Sequence, residues 1–182
     1  MLFPAILVLE DGSVMEGIGF GSKQQSVGEI VFNTSMSGYQ EIITDPSYAK
    51  QIIAFTHPHI GNTGINDEDN ESDNIFASAI VIKDLPKNYS NWRANQSLES
   101  FLLSKNTIGI SNIDTRALTA KLREHGSLKA CIAPGGKESL SEANDALNQF
   151  SGLEGLDLAK EVSTKNSFSW KEGTWPNYQD VK

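Results

Sequence analysis

Asp45-Pro46-Ser47-Tyr48 places a carboxylate, a hydroxyl and a phenol around one proline. Pro46 fixes its own φ and biases Asp45 away from helix, so the turn is stiff. A stiff turn presents the hydroxyls of Ser47 and Tyr48 outward at a set angle, which suits a contact surface on a loop. A serine after Asp-Pro also commonly bonds its own backbone, and that plainer role stays open. His57-Pro58-His59 offers two imidazoles across a second turn. Without a matched cysteine or carboxylate cluster at ligand spacing, they are a weak metal signal. Asp67, Glu68, Asp69, Glu71 and Asp73 crowd five acids into seven residues. A calcium loop starting at Asp67 needs glycine at its sixth place and glutamate at its twelfth. Ser72 and Ser78 stand there instead, so the run reads as a solvated loop.

Two further patterns invite chemistry and fail it. Gly17-Ile18-Gly19-Phe20-Gly21 is followed by Ser22, where a dinucleotide fingerprint needs a third spaced glycine and a helix. These glycines instead permit twist, a bulge or close backbone approach in a strand. The single cysteine, Cys131, lies in Lys129-Ala130-Cys131-Ile132-Ala133 among strand-like neighbours. It reads as a buried, inert thiol. It has no partner for an internal disulfide and fits a reducing, cytoplasmic setting.

The elements that must hold these groups follow from the apolar pattern. Ala5 to Leu9 and the run from Val14 flank Asp11-Gly12, a strong hairpin signal. Val27 to Phe32 reads as a strand, Gly38 to Ile43 as a short helix, and Ile52 to Phe55 and Phe76 to Ile82 as buried strands. Ser97 opens a helix with Leu98, Phe101 and Leu102 on one face. Ile108 to Ile110 is strand-like, and Asp114 caps a helix that stops at Gly126. Leu128 to Ala133 is a further strand, and Ser139 with Glu142 forms a capping-box pattern ahead of Leu140, Ala143, Leu147 and Phe150. Hairpins in front and alternation of strand and helix behind predict a mixed α/β structure, with two sheets or one large mixed sheet and parallel crossovers in the back half.

Size and charge narrow the function. A chain of 182 residues suits one long domain, or a domain plus a tail. A net charge of −8 opposes a nucleic-acid footprint, which needs clustered Lys and Arg. The apolar runs are too short and too often interrupted to span a bilayer, and no secretory signal opens the chain. No nucleic-acid or membrane partner is therefore expected. After Phe150 the periodicity fades, and Gly152, Gly155, Gly173 and Pro176 mark a connector.

VFNTSMSGYQEIITDPSY followed by HPHIGNTGIND resembles the N-terminal domain of the small, glutamine-hydrolysing subunit of carbamoyl-phosphate synthetase. LVLEDGSVMEGIGFG before it, and IVIKDLPKNYSNWR, ISNIDTRALTAKLREHG, GLDLAKEV and Ser169-Trp170 after it, extend the resemblance over nearly the whole chain. The resemblance implies an α/β domain with a three-layer β/β/α arrangement of mixed parallel and antiparallel sheets. It implies a small-subunit N-terminal domain over residues 1–150 and a connector over 151–182, leading to a class I glutamine amidotransferase domain absent from this sequence. That family's nucleophile sits in a Gly-x-Cys-x-Gly elbow, and Cys131 lacks both glycines. No catalytic residue and no metal ligand are therefore carried over, and the chain alone is expected to be inactive. Ser47 alone takes a role from the resemblance, as a contact to bound glutamine.

The implied partners are the large subunit, the second domain of the small subunit, and glutamine. ATP and magnesium belong to the large subunit, and no cofactor is implied for this chain. The parent enzyme would be a ligase with a glutaminase half-reaction, serving arginine and pyrimidine synthesis. A free-standing acidic interaction or metal-binding module is the alternative. A Gly-x-Cys-x-Gly motif in frame beyond Lys182 would favour the first reading, and a clear rise in melting point with calcium or zinc the second.

Overall fold

In a computed structural model, the described residues are 1–169. Seven strands are named in chain order. They are β1 (Phe3–Leu9), β2 (Val14–Gly21), β3 (Ser26–Asn33), β4 (Gln51–Phe55), β5 (Ala79–Val81), β6 (Ile108–Ser111) and β7 (Leu128–Pro134). The helices are α1 (Tyr39–Thr44), α2 (Leu98–Ser104), α3 (Thr115–His125), α4 (Leu140–Gln149) and α5 (Leu158–Val162). No helix among the described residues is long and apolar enough to cross a membrane. Trp170, Gly173 and Pro176 lie outside the described residues.

The hairpin forms where Asp11-Gly12 predicts it. Gly12 takes φ 83°, a left-handed conformation that glycine adopts without penalty. The Leu9 amide donates to the Ser13 carbonyl, and Val8 pairs with Val14. The strands then hydrogen-bond in the closed order β1-β2-β6-β5-β4-β3-β7, with β7 returning to β1. β3, β4, β5 and β6 run parallel, and β1, β2 and β7 pair antiparallel to their neighbours. The mixed sheet of the sequence reading is thus a single ring, whose opposing walls supply two β layers with helices outside.

Alternation along the strands sorts the core into an interior and two outer faces. Ala5, Leu7 and Leu9 of β1, Ile52 and Ala54 of β4, and Ile108 and Ile110 of β6 share the interior cluster, which Leu118 and Leu122 of α3 join. Ile53 and Phe55 of β4 and Ile80 of β5 face outward under Tyr39, Ile43, Phe101 and Leu102. Ile6, Val8, Cys131 and Ala133 lie under Ala143 and Leu147 of α4. Strands buried on both faces read as continuous apolar runs, and that is how these appear in sequence.

Three expectations need correction. Phe76 to Ile82 forms a strand only over Ala79–Val81; the flanking apolar residues reflect burial of Ala77 and Ile82, and the Ile82 amide adds one further bond to the Ile110 carbonyl at 2.9 Å. In the back half only the β5-α2-β6 connection is a parallel crossover, since after α3 the chain returns antiparallel between β1 and β3; the other helical crossover, β3-α1-β4, lies in the front half. The Ser139 capping box does not form. A 3-10 turn at Lys137–Ser139 already holds Ser139 at φ −86° and ψ 0°, and its hydroxyl donates to the Pro134 carbonyl at 2.8 Å.

Ring closure brings backbones together at glycines. A Cβ on Gly17 would lie 2.5 Å from the Ser111 carbonyl oxygen and 2.9 Å from Ile110 and Ile113 side-chain carbons. One on Gly19 would overlap the Phe3 ring. The glycines of β2 therefore serve close approach, as their sequence context predicts. Gly17→Ala should force β2 and β6 apart and lower stability by about 1–3 kcal/mol in urea denaturation.

Candidate functional site

The Asp45–Tyr48 turn sits directly after α1. The Asp45 amide still donates to the Ile42 carbonyl, and then Asp45 turns extended at φ −71° and ψ 121°, as a residue before proline prefers. Pro46–Tyr48 forms a single 3-10 turn, and the Asp45 carboxylate caps it by accepting from the Ser47 amide at 2.7 Å. The Tyr48 amide donates to the Asp45 carbonyl, and the Ala49 amide to the Pro46 carbonyl, both at 3.1 Å. Ser47 is exposed, and its hydroxyl has no hydrogen-bond partner among the described residues. Tyr48 differs from the expectation of an outward hydroxyl. Its ring is half-buried against the outer core, and its phenol oxygen accepts from Asn33 Nδ2 at 3.0 Å.

The same rim of the barrel carries a polar lattice rooted in α1. Gln40 is 4% exposed. Its Nε2 donates to the Asn66 carbonyl at 2.6 Å and to Asn70 Oδ1 at 2.8 Å, and its Oε1 accepts from the Asn66 amide at 3.0 Å. Tyr39 donates its phenol proton to the Gly64 carbonyl at 2.5 Å, and burial raises its pKa above the ordinary tyrosine value. Thr44 Oγ1 accepts from the Glu71 amide at 3.0 Å. A long segment without regular structure is thus held by three side chains of one short helix.

The acidic run divides in its roles. Asp67, Glu68, Glu71 and Asp73 are exposed, as a solvated loop requires, but Asp69 is half-buried. Asp69 accepts both Nη groups of Arg93, at 2.6 and 3.1 Å, and Glu68 accepts one at 2.9 Å. This fork fits a carboxylate in two-point geometry. It ties the acidic segment to the segment carrying Tyr89 and Trp92. Glu41 faces the same side, and burial first, then the nearby Asp69 and Glu71, raise its carboxyl pKa above the usual value. Among the described residues, no group of three His, Cys, Asp or Glu is placed to hold a metal.

The remaining candidates lie elsewhere. His57 and His59 meet ring edge to ring face with centroids 5.7 Å apart. Cys131 sits in β7 with no exposed surface, among Ile6, Val8, Ala143 and Leu147. Burial in that apolar layer pushes its thiol up to about 12, and no charged group contributes to the shift. Gln40, Arg93 and Asn33 are the residues that sequence reasoning missed. The helical pattern of α1 can mark Gln40 as inward-facing, but no spacing connects it to Asn66, or Arg93 to Asp69.

A closed mixed barrel with a buried thiol and a braced polar rim defines a mixed α/β domain. The chain belongs to the carbamoyl-phosphate synthase small chain family, whose CPSase domain model matches residues 7–132. It is 54% identical over 171 residues to a carbamoyl phosphate synthase small chain of Vibrio parahaemolyticus, covering 94% of this chain and 45% of that one. It is 54% identical over 172 residues to that of Thioalkalivibrio sulfidiphilus, covering 94% and 45%. It is 52% identical over 175 residues to that of Pseudomonas syringae pv. tomato, covering 96% and 46%. The chain therefore spans about half the length of the curated relatives it matches.

The buried thiol yields a test of its own. Burial raises the Cys131 thiol from its ordinary value of 9.0 to about 12, so above pH 9 the unfolded state loses a proton that the fold retains. The thiol's contribution to stability is constant below pH 9 and falls as pH rises toward 12. At pH 8 a thiol reagent should leave Cys131 unlabelled in the native protein and label it fully in denaturant.

Proposed function

We propose that this chain is the N-terminal domain of the small subunit of a glutamine-dependent carbamoyl-phosphate synthetase, cytoplasmic, with its domain over residues 1–150 and a connector over 151–182. The parent small subunit would hydrolyse glutamine through a cysteine thioester in a class I amidotransferase domain. Ammonia would pass to the large subunit, which uses ATP and magnesium to make carboxy-phosphate from bicarbonate and then carbamoyl phosphate. This domain would dock the large subunit and form one wall of the glutamine site, with Ser47 as the contact to glutamine.

The observation that carries this reading is the exposed hydroxyl of Ser47 on an immobilised turn, uncommitted to any partner among the described residues. A neutral hydroxyl can donate to the α-carboxylate of an amino acid or accept from its ammonium group. Two contacts of Leu153 and Glu161 support this reading. Glu29 Oε1 accepts from the Leu153 amide at 2.9 Å, and Lys50, three positions after Ser47, pairs with Glu161 of α5 at 2.6 Å. A domain joined through this connector would start close to the Ser47 turn. A glutaminase site also requires exclusion of water, and a rigid neighbouring domain can provide it.

Ser47→Ala in the full-length subunit, assembled with its partner, should raise the KM for glutamine on the order of tenfold and leave ammonia-driven synthesis intact, as expected for one hydrogen bond to a charged group. Equal loss of both activities would count against the contact. The purified chain alone should release no ammonia from glutamine, because its only cysteine is sealed in an apolar layer. Release that disappears in Cys131→Ser would overturn this assignment.

A further inference from the structure

The bonds inside the Ser47 turn fix its shape but not its attitude on the barrel. The Asp45 cap and the Tyr48 and Ala49 amide bonds all close within residues 45–49. A single 3-10 turn of this length has little rigidity of its own. Three features attach it to the body: α1 on one side, the buried Ala49 on the other, and the Tyr48 phenol. The phenol reaches Asn33 at the end of β3, and both polar atoms of the Asn33 side chain are committed. Nδ2 donates to Tyr48, and Oδ1 accepts from the Ser35 amide at 2.8 Å. The Asn33 carbonyl is held in turn by the Thr56 amide at 3.0 Å, where β3 and β4 end side by side.

We propose that Asn33 and Tyr48 are positioning residues for Ser47: the Asn33–Tyr48 hydrogen bond sets the angle at which the Ser47 hydroxyl leaves the rim and meets its ligand. This inference rests on Ser47 being the glutamine contact. Ser47 itself offers nothing to hold that angle, since its hydroxyl has no partner among the described residues. The adjacent phenol is packed back against the outer face of the barrel while the serine is exposed, so a rotation of the turn would strain the Asn33 bond.

Tyr48→Phe keeps the ring's packing and deletes only the phenol oxygen. In the full-length subunit with its partner, it should raise the KM for glutamine about three- to tenfold, the effect of one neutral hydrogen bond. The kcat at saturating glutamine and the ammonia-driven rate should hold. Asn33→Ala should reproduce the loss. Asn33→Asp should recover most of it, because an aspartate still caps Ser35 and can accept from the Tyr48 hydroxyl. In a Ser47→Ala background, Tyr48→Phe should add nothing to the KM, since there is no hydroxyl left to position. A simply destabilised protein would lose both activities together and would show additive effects.

The outcomes separate the two readings. If Ser47→Ala raises the glutamine KM while Tyr48→Phe leaves it unchanged or adds in full, the positioning role is overturned and the contact stands. If Ser47→Ala leaves the KM unchanged, the contact itself falls and the positioning role falls with it. Should Tyr48→Phe fail to fold, the contrast between Asn33→Ala and Asn33→Asp decides the same question, and equal KM values for that pair overturn the inference.

Discussion

Closure of the seven-stranded ring is the constraint on which the rest of the structure depends. β7 makes that closure by pairing antiparallel with β1 on one side and β3 on the other. A closed ring has no free edge, so backbone donors and acceptors along the strands are satisfied within the sheet. Satisfied strands can then be buried on both faces, and β1, β4 and β5 are almost wholly apolar for that reason. The cost falls on steric fit. Gly17, Gly19, Gly28 and Gly109 all lie where a Cβ would collide with a neighbouring backbone or aromatic ring. Small residues at the seams permit the short distances that closure demands.

With the walls sealed, polar chemistry is confined to the rim, and the rim has little regular structure to hold it. α1 substitutes for that missing order. It has six residues, too short for stability by propensity, and it persists because Tyr39 and Ile43 pack on the outer face of the barrel. From that footing Tyr39, Gln40 and Thr44 reach backbone groups between Gly64 and Glu71. Buried polar networks of this kind stabilise only when every member is satisfied, and no buried side-chain polar atom among the described residues lacks a partner. The Asp45–Tyr48 turn inherits its rigidity from the same helix, because its first residue is bonded to the last turn of α1.

What the sequence made legible were the features whose physics is local. Asp11-Gly12, the Asp114 cap, the Gly126 stop and the strand over Val27 to Phe32 each depend on a few adjacent residues, and each appears where expected. The long apolar runs announce burial but not the extent of pairing, so the strand expected over Phe76 to Ile82 spans only Ala79–Val81. Ser139 satisfied the capping-box pattern while a preceding 3-10 turn, invisible to that pattern, had already taken its backbone into helix. Ring closure and the rim lattice were not legible, because Asn33 and Tyr48 are fifteen positions apart and Arg93 and Asp69 twenty-four. Amide and guanidinium side chains carry no periodic signature of the partner they will find.

Cys131 and Ser47 occupy opposite extremes of this architecture, and the contrast bears on function. The thiol is the stronger potential nucleophile, and it lies under α4 in an apolar layer that disfavours its charged form. The hydroxyl is the weaker nucleophile, with no base hydrogen-bonded to it among the described residues, and it stands at the surface. A domain that hides its reactive atom and displays an unreactive one can border a reaction without competing in it. On the proposed reading this is what the wall of an acyl-transfer site requires. A thioester formed on a neighbouring cysteine must meet water and nothing else, so the bordering surface should bind substrate through neutral hydrogen bonds and contribute no second thiolate. The apolar layer between β7 and α4 thus keeps this cysteine away from the exposed Ser47 turn.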